Sequence, residues 1–320
     1  MSKYRKALPQ LQSRLFLTDG GLETTPIFHN GIDLPHFASF DLLRTSKGRR
    51  TLRDYFLPYI ERAQQARLGF VLEAPTWRAN RDWGAKLGYT RSALAAVNRD
   101  AIELMAELRS AFETQRTPMV ISGNIGPRGD GYVAGEEMTV EAAAEYHDEQ
   151  IAVFAETDAD MVAAFTMTNV NEALGVVVSA QRHAMPVAIS FTLETDGRLP
   201  SGMSLQEAIE TVDAASGNGP AYYMINCAHP THFEAMLAKD EGWTQRIRGV
   251  RANASKRSHA ELDAAPDLDA GDPVELGGQY RELLRAFPQI TVVGGCCGTD
   301  HAHVAHICAA CTGGAKSQAA

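Results

Sequence analysis

Three cysteines close to the ends of two apolar segments are the residues of this sequence best suited to bind a metal. Cys296 and Cys297 follow the apolar run 290–293 inside a Gly-Gly-Cys-Cys-Gly-Thr motif, and Cys227 follows the run 222–226. Thiolate sulfurs are common zinc ligands, and three protein ligands leave the fourth tetrahedral position open for a substrate. The pattern therefore predicts a catalytic Zn²⁺ site built from two strand ends.

These cysteines have two other interpretations. A free cysteine is often buried as an ordinary core residue, and the adjacent Cys296 and Cys297 could form a strained disulfide.

Cys308 and Cys311 have the Cys-x2-Cys spacing of some zinc sites, but the sequence contains no second pair of that spacing, so we assign them to the final helix. The five cysteines are an odd number clustered late in the chain, which favours reduced thiols over a disulfide framework.

Composition limits the classes of protein to which the chain can belong. It has 320 residues, of which 45% are hydrophobic and 22% charged, so it can bury a sizeable core. The formal net charge of −9 argues against a nucleic-acid-binding surface. No segment reaches the roughly 18 consecutive apolar residues of a membrane helix, and no apolar stretch of a signal peptide follows the N-terminal charges. We therefore expect a cytoplasmic protein without nucleic-acid or membrane partners; whether it forms a homo-oligomer stays open.

Apolar runs that suit buried strands alternate along the chain with segments of helical periodicity. The strand-like runs are 15–18, 70–72, 119–122, 161–164, 187–191, 222–226, 247–250 and 290–293. The helical segments include 92–112, 139–157, 171–181, 205–214 and 273–287. Near-continuous apolar strands that alternate with helices over about 300 residues are typical of a parallel (β/α)8 TIM barrel. A doubly wound open sheet is the alternative.

The barrel would bring the residues suited to chemistry together at one end. We expect one domain over residues 1–312 and a flexible tail over 313–320, because no repeat or low-complexity linker divides the chain. Active sites of such barrels lie at the carboxyl ends of the strands. Asp19, Gly20 and Gly21 follow the first strand, so we expect them at the same mouth as the three cysteines.

The same residues carry a resemblance to a known family. The segments 19–21 (Asp-Gly-Gly), 226–227 (Asn-Cys) and 294–299 (Gly-Gly-Cys-Cys-Gly-Thr) resemble motifs of the homocysteine S-methyltransferase family, with support from 123–127 and 172–173. The resemblance covers nearly the whole chain. It implies a (β/α)8 barrel that uses zinc to move a methyl group from a sulfonium or ammonium donor to homocysteine, giving methionine. Candidate donors are S-methylmethionine, S-adenosylmethionine and betaine.

The resemblance and the strand ends also assign residues to the two small-molecule substrates. The acceptor site would contain Asp19, Gly20, Gly21, Phe165, Glu194 and Asn253, and the methyl-donor pocket Glu73, Thr76 and Trp77. An aromatic face complements a cationic donor, which favours Trp77, although packing over the barrel rim explains this residue equally well. Phe165 stands where the family carries a Glu that pairs with the homocysteine ammonium. Either Glu194 or Glu73 replaces that carboxylate, or the acceptor is another small thiol or selenol.

Two other functions stay open. A zinc hydrolase would use zinc-bound water, but three thiolates donate so much charge that this water would be poorly acidified. A non-catalytic barrel would use zinc only to staple the sixth strand to the eighth. A zinc ion that a thiol can reach would indicate methyl transfer. Zinc-bound water beside a general base would indicate a hydrolase, and a fourth protein ligand that completes the coordination would indicate the structural role.

Overall fold

A computed structural model describes residues 2–237 and 241–313 of the chain, so 314–320 of the predicted tail lie outside the described residues. Its parallel strands close into a barrel in which each strand pairs with the next and the last pairs with the first. The strands are β1 (Phe16–Leu17), β2 (Gly69–Glu73), β3 (Met119–Ile125), β4 (Met161–Met167), β5 (Val187–Thr192), β6 (Tyr222–Asn226), β7 (Ile247–Ala252) and β8 (Val292–Gly295). The predicted (β/α)8 TIM barrel is confirmed. The open-sheet alternative is wrong, because β8 pairs with β1.

Helices on the outside of the barrel connect the strands. They are α1 (Ser46–Ala66), α2 (Arg81–Lys86), α3 (Arg91–Phe112), α4 (Val140–Ala155), α5 (Val170–Arg182), α6 (Leu205–Ser216), α7 (Pro230–Phe233), α8 (His259–Asp263), α9 (Pro273–Ala286) and α10 (His301–Thr312). The side chains of Thr45, Thr90, Thr139 and Ser204 accept first-turn amide hydrogens, which fixes where α1, α3, α4 and α6 begin. Among the described helices, none combines the length and the apolar character needed to cross a bilayer.

The interior of the barrel is filled by side chains of its own strands. The inner cluster consists of Phe16, Val71, Val120, Met161, Ala163, Phe165, Ala188, Tyr222, Met224 and Val292, with Leu8 from the N-terminal segment. Alternate strand residues such as Leu17 and Val293 belong instead to the layer between strands and helices. The amides of Lys3 and Tyr4 each donate to Asp160 at 2.7 Å, just before β4 begins. The N-terminal segment therefore closes the amino end of the barrel, and the site must open at the carboxyl end.

Candidate active site at the barrel mouth

The three cysteines predicted to bind a metal meet at the carboxyl end of the barrel. Cys227 follows β6, and Cys296 and Cys297 follow β8. Their sulfur atoms all lie within 4.8 Å of one another, and Cys227 Sγ is 3.7 Å from Cys297 Sγ. β7 lies between the two strands and holds both ends, since the Cys227 amide donates to Arg251 O at 3.1 Å and the Cys296 amide to Ala252 O at 2.8 Å.

Glycine at position 295 is required by the tight turn that carries the cysteine pair. A Cβ atom on Gly295 would collide with the side chain of Thr299. The Thr299 hydroxyl in turn donates to Cys296 O at 2.7 Å. The glycines of the motif therefore allow the backbone to pack closely on itself where it carries the two cysteines.

Cys227 and Cys296 form a disulfide in this structure, with their Cα atoms 5.5 Å apart. This corrects the expectation that all cysteines are reduced, and the bond joins two strand ends rather than the adjacent Cys296 and Cys297. The reason is the barrel geometry, because β6 and β8 both flank β7 and bring the Cα atoms into the range of about 4.4–6.8 Å that disulfides need. Cys297, Cys308 and Cys311 are free thiols.

The cluster has the donor set and the spacing that zinc requires once the disulfide is reduced. Zn–S bonds of about 2.3 Å in tetrahedral geometry place the sulfurs about 3.8 Å apart. The separation of 3.7 Å between Cys227 and Cys297 already matches this spacing. Over the described part of the chain, no other three His, Cys, Asp or Glu side chains converge in this way. Cys227, Cys296 and Cys297 are therefore the residues that could hold a metal.

A cavity of about 350 Å³ lies beside the sulfurs, within the size range of small-molecule sites. Its lining includes the three cysteines and six of the residues predicted to bind substrates, namely Asp19, Gly20, Gly21, Trp77, Phe165 and Asn253. Asn253 is fixed there because its side-chain amide donates to Cys227 O at 3.1 Å. The sequence-based assignments from the carboxyl ends of six strands thus meet at one cavity.

Three predicted substrate residues lie outside this lining. Glu73 is buried, with Oε1 3.7 Å from Arg251 Nη1. Thr76 Oγ1 donates to Asn124 O at 2.8 Å and is also buried. Glu194 has a side chain that is 34% exposed, and its Oε1 lies 3.3 Å from His259 Nδ1. The assignment of these three side chains to substrates stays a prediction.

Trp77 lines the cavity, but its ring already has partners. Its Nε1 donates to Thr166 Oγ1 at 2.8 Å, and the Arg78 guanidinium lies 4.0 Å from the ring centroid. Thr166 has a φ of +56°, a left-handed conformation held by a hydrogen bond of 2.9 Å from its amide to Asn226 Oδ1. A cationic donor at Trp77 would therefore share the ring with Arg78.

A buried arginine sets the charge of the inner cavity wall. Arg251 Nη2 lies 2.9 Å from Asp19 Oδ1 and donates to Gly20 O at 3.0 Å. The Tyr55 hydroxyl donates to Asp19 Oδ2 at 2.9 Å. Burial raises the pKa of Asp19, whereas Arg251 and the Tyr55 hydrogen bond oppose that rise. Burial alone would lower the pKa of Arg251, but Asp19 and Glu73 hold it above its ordinary value.

Two ring side chains from the connections after β3 and β7 lie over the cysteine cluster. Tyr132, in the segment between β3 and α4, has its hydroxyl 3.4 Å from both Cys227 Sγ and Cys297 Sγ. His259, at the start of α8, packs on the Tyr132 ring with centroids 4.6 Å apart. The segments that follow β3 and β7 therefore close over the cysteine cluster.

Sequence reasoning missed Arg251, Tyr132 and His259. A signal for Arg251 existed, because a charged residue directly after the apolar run 247–250 falls at the carboxyl end of a barrel strand, where functional side chains gather. Tyr132 belongs to an irregular connection, and His259 is the first residue of the short helix α8 within the connection that follows β7. Their position over the sulfurs depends on tertiary contacts that local sequence does not specify.

Comparison with known proteins gives one family and one fold. A family model described as homocysteine S-methyltransferase matches residues 16–311. Homocysteine S-methyltransferase 4 of Zea mays is 24% identical over 310 residues, which cover 90% of this chain and 86% of that protein. Selenocysteine Se-methyltransferase of Brassica oleracea var. italica is 22% identical over 312 residues, which cover 88% of this chain and 85% of that protein.

Solved structures of the homocysteine methyltransferase MmuM from Escherichia coli share the architecture. Its oxidized form aligns with a TM-score of 0.73 at 20% identity, covering 95% of this chain and 99% of that chain. Its metallated form aligns with a TM-score of 0.71 at 20% identity, covering 95% and 98%. At this identity the likeness establishes the barrel fold.

Proposed function

The chain belongs to the homocysteine S-methyltransferase family, and from that premise we propose that it methylates a thiol held as thiolate on Zn²⁺ by Cys227, Cys296 and Cys297. Membership makes it a thiol S-methyltransferase; the zinc, the ligands and the substrates are the proposal. The observation that carries it is the convergence of three sulfurs within 4.8 Å at the wall of a substrate-sized cavity. Zinc bound there would deprotonate the acceptor thiol and keep its sulfur nucleophilic.

A cationic methyl donor suits the charge of this site. Three thiolates on Zn²⁺ carry a formal charge of −1, which an acceptor thiolate would extend to −2. Such a site attracts a sulfonium or ammonium group, as in S-methylmethionine, S-adenosylmethionine or betaine. Trp77 supports the donor side of the cavity, because its ring lies in the lining.

The walls of the cavity would contribute chiefly by alignment. Methyl transfer is a substitution at carbon, so the sulfur, the methyl group and the leaving group must lie in line. Orientation of this kind can lower the activation free energy by up to roughly 7–11 kcal/mol. Tyr132 and His259 cover the sulfurs and would exclude water from the reacting sulfur.

Homocysteine, giving methionine, is the first acceptor to test, because several relatives carry that name. A second candidate is a different small thiol or selenol, and Phe165 favours it. The phenyl ring of Phe165 lies in the cavity lining and cannot pair with an ammonium group as a carboxylate would.

Reduced, zinc-loaded protein incubated with acceptor and donor pairs tests the proposal. Homocysteine, selenohomocysteine and small thiols are each crossed with S-methylmethionine, S-adenosylmethionine and betaine, and a methylated product is detected by mass. Cys297→Ala should lose both zinc and product. Cys311→Ala, on α10 and away from the cluster, should keep both and serves as the matched control. Zinc-loaded protein that methylates none of the thiols with any donor would contradict the proposal.

A further inference from the structure

Arg78 is a buried cation in the cavity wall that forms no ion pair with any residue that the structure describes. It is only 5% exposed, and it belongs to the lining. Its Nη1 donates to Gly129 O at 2.9 Å, whereas its Nε is buried without a hydrogen-bond partner and its Nη2 makes no hydrogen bond with a described residue. A buried charge is costly unless a partner compensates it. The free donors of Arg78 therefore indicate that an anionic ligand completes this site.

Two indole rings hold the guanidinium of Arg78 in place. Its Cζ lies 4.0 Å from the ring centroid of Trp77 and 3.8 Å from that of Trp83. Contact with an aromatic ring fixes a guanidinium without using its N–H groups. These N–H groups stay available, and their planar arrangement matches the two oxygens of a carboxylate.

The two acidic side chains whose charge acts on Arg78 have other partners. Asp130 Oδ1 accepts from two backbone amides of its own loop. Glu23 Oε1 accepts from Ser39 Oγ at 2.9 Å. Burial lowers the pKa of Arg78, and these two carboxylates oppose that change only in part. The protein itself therefore leaves the charge of Arg78 incompletely compensated.

The strand that leads to Arg78 lies across the barrel from the strand that leads to Cys227. In the closed barrel, three strands separate β2 from β6 in either direction. One loop joins the two sides, because its Gly129 O accepts from Arg78 and its Tyr132 hydroxyl lies 3.4 Å from Cys227 Sγ. Arg78 and the cysteines line the same cavity. A ligand that contacts both must therefore span it.

The geometry of methyl transfer assigns the two sides to different substrates. The acceptor sulfur must lie at the cysteine cluster, beside Arg251, whose Nε donates to Gly295 O at 3.0 Å and whose charge is paired with Asp19 at 2.9 Å. The leaving group lies in line with this sulfur, on the far side of the methyl group. The donor therefore extends away from the cluster, which gives it access to the wall that contains Trp77 and Arg78.

We propose that Arg78 binds the carboxylate of the methyl donor and thereby selects donors that carry a carboxylate as well as a sulfonium or ammonium centre. The proposal rests on the proposed function, because it concerns the donor of that reaction. S-methylmethionine, S-adenosylmethionine and betaine all have this combination of charges. A carboxylate at Arg78 would neutralise a guanidinium that otherwise repels a cation beside Trp77. The cationic centre of the donor would then lie on the side of the anionic sulfurs.

Removal of the donor carboxylate tests this assignment. Each donor is paired with its decarboxylated form, namely (3-aminopropyl)dimethylsulfonium for S-methylmethionine, decarboxylated S-adenosylmethionine, and tetramethylammonium for betaine. Binding to reduced, zinc-loaded protein is measured by calorimetry without a thiol, and kcat and KM are measured with the thiol that gives product. We expect the donor that the protein uses to bind at least about tenfold more tightly than its decarboxylated form, the scale of a hydrogen bond to a charged group.

Two variants and one control locate the effect. Arg78→Gln should lose most of the preference for the carboxylate and raise the KM of the donor, with the KM of the thiol and the zinc content unchanged. Arg78→Lys should retain part of the preference because a cation remains. Arg81→Gln is the matched control, since Arg81 pairs with Glu149 at 3.1 Å and neither residue lines the cavity; it should keep the full preference. If Arg78→Gln does not fold, the donor pairs in wild type and Arg78→Lys still decide.

The outcomes separate this proposal from the proposed function. Equal binding of a donor and its decarboxylated form, binding of neither, or a preference that Arg78→Gln keeps would overturn the role of Arg78, whereas a methylated product would leave the methyltransferase proposal standing. A higher KM for the thiol but not for the donor in Arg78→Gln would place the acceptor carboxylate at Arg78 and overturn the assignment. Carboxylate-dependent donor binding that Arg78→Gln abolishes, without methylated product from any thiol, supports the role of Arg78 and counts against the proposed reaction.

Discussion

Replacing Glu73 by glutamine should remove a loss of stability that wild type shows as the pH rises from 5.5 to 8.5. Burial raises the pKa of Glu73 from an ordinary value of 4.5 to about 7, an effect that Arg251 opposes and Asp19 reinforces. The Oε2 atom is buried without a hydrogen-bond partner among the described residues. The folded protein therefore holds this proton up to a higher pH than the unfolded chain does.

The sign and size of the effect follow from these two pKa values. As the pH rises above 4.5, the unfolded chain releases the Glu73 proton before the folded protein does. The contribution of this proton to the free energy of unfolding is therefore fully present below pH 4.5 and is lost as the pH rises to about 7. Each pKa unit of difference between the folded and unfolded states corresponds to about 1.4 kcal/mol, so the free energy of unfolding falls by about 3.4 kcal/mol in all. About 1.4 kcal/mol of this is already lost at pH 5.5, which leaves about 2 kcal/mol between pH 5.5 and 8.5.

Urea unfolding of wild type and Glu73→Gln at pH 5.5 and 8.5 measures this difference. We expect the free energy of unfolding of the variant minus that of wild type to be about 2 kcal/mol larger at pH 8.5 than at pH 5.5. Glu210→Gln, at an exposed position of α6, controls for the substitution itself. A difference between wild type and Glu73→Gln that does not change with pH would refute the reasoning.

Three further results are expected. Elemental analysis should find well below one zinc ion per chain while the Cys227–Cys296 disulfide is intact, and close to one zinc ion per chain after reduction. Equal zinc stoichiometry in both states would contradict the assignment of the three cysteines as ligands. Tyr280→Phe should lower the free energy of unfolding by about 1–3 kcal/mol in urea titration, because the buried Ala252 amide donates to the Tyr280 hydroxyl at 2.8 Å. Asn226→Ala should lower it by about 2–4 kcal/mol, since Asn226 Oδ1 accepts from two buried donors; a loss below about 1 kcal/mol would show that other groups satisfy those donors.

The barrel fold could be predicted from the sequence because its strands and helices each leave a pattern within a short stretch of residues. Strands of a parallel barrel are covered on both faces, so each appears as a short apolar run, and the helices between them show apolar residues at spacings of three and four. β6 has the predicted bounds, Tyr222–Asn226, and α9 differs from its prediction at one end only. The cysteine cluster could be predicted for the same reason, since strand ends of one barrel share one mouth.

The remainder of the site depends on contacts between distant segments. Arg251 continues β7 beyond the predicted run, and its side chain turns inward because Asp19, 232 positions earlier in the chain, compensates its charge. Tyr132 reaches the sulfurs from a connection of no regular structure. The disulfide between Cys227 and Cys296 depends on the spacing of β6 and β8 across β7. None of these distances is encoded by the residues next to each position.

The sulfur coordination of bound zinc decides whether the three cysteines form a catalytic centre. X-ray absorption at the zinc edge is recorded for reduced, zinc-loaded protein before and after addition of a thiol that the protein methylates, in the absence of donor. We predict three Zn–S bonds of about 2.3 Å from the cysteines and a fourth after the thiol is added. Fewer than three sulfurs at the start, or a sulfur count that the thiol does not change, would contradict a zinc-bound acceptor thiolate.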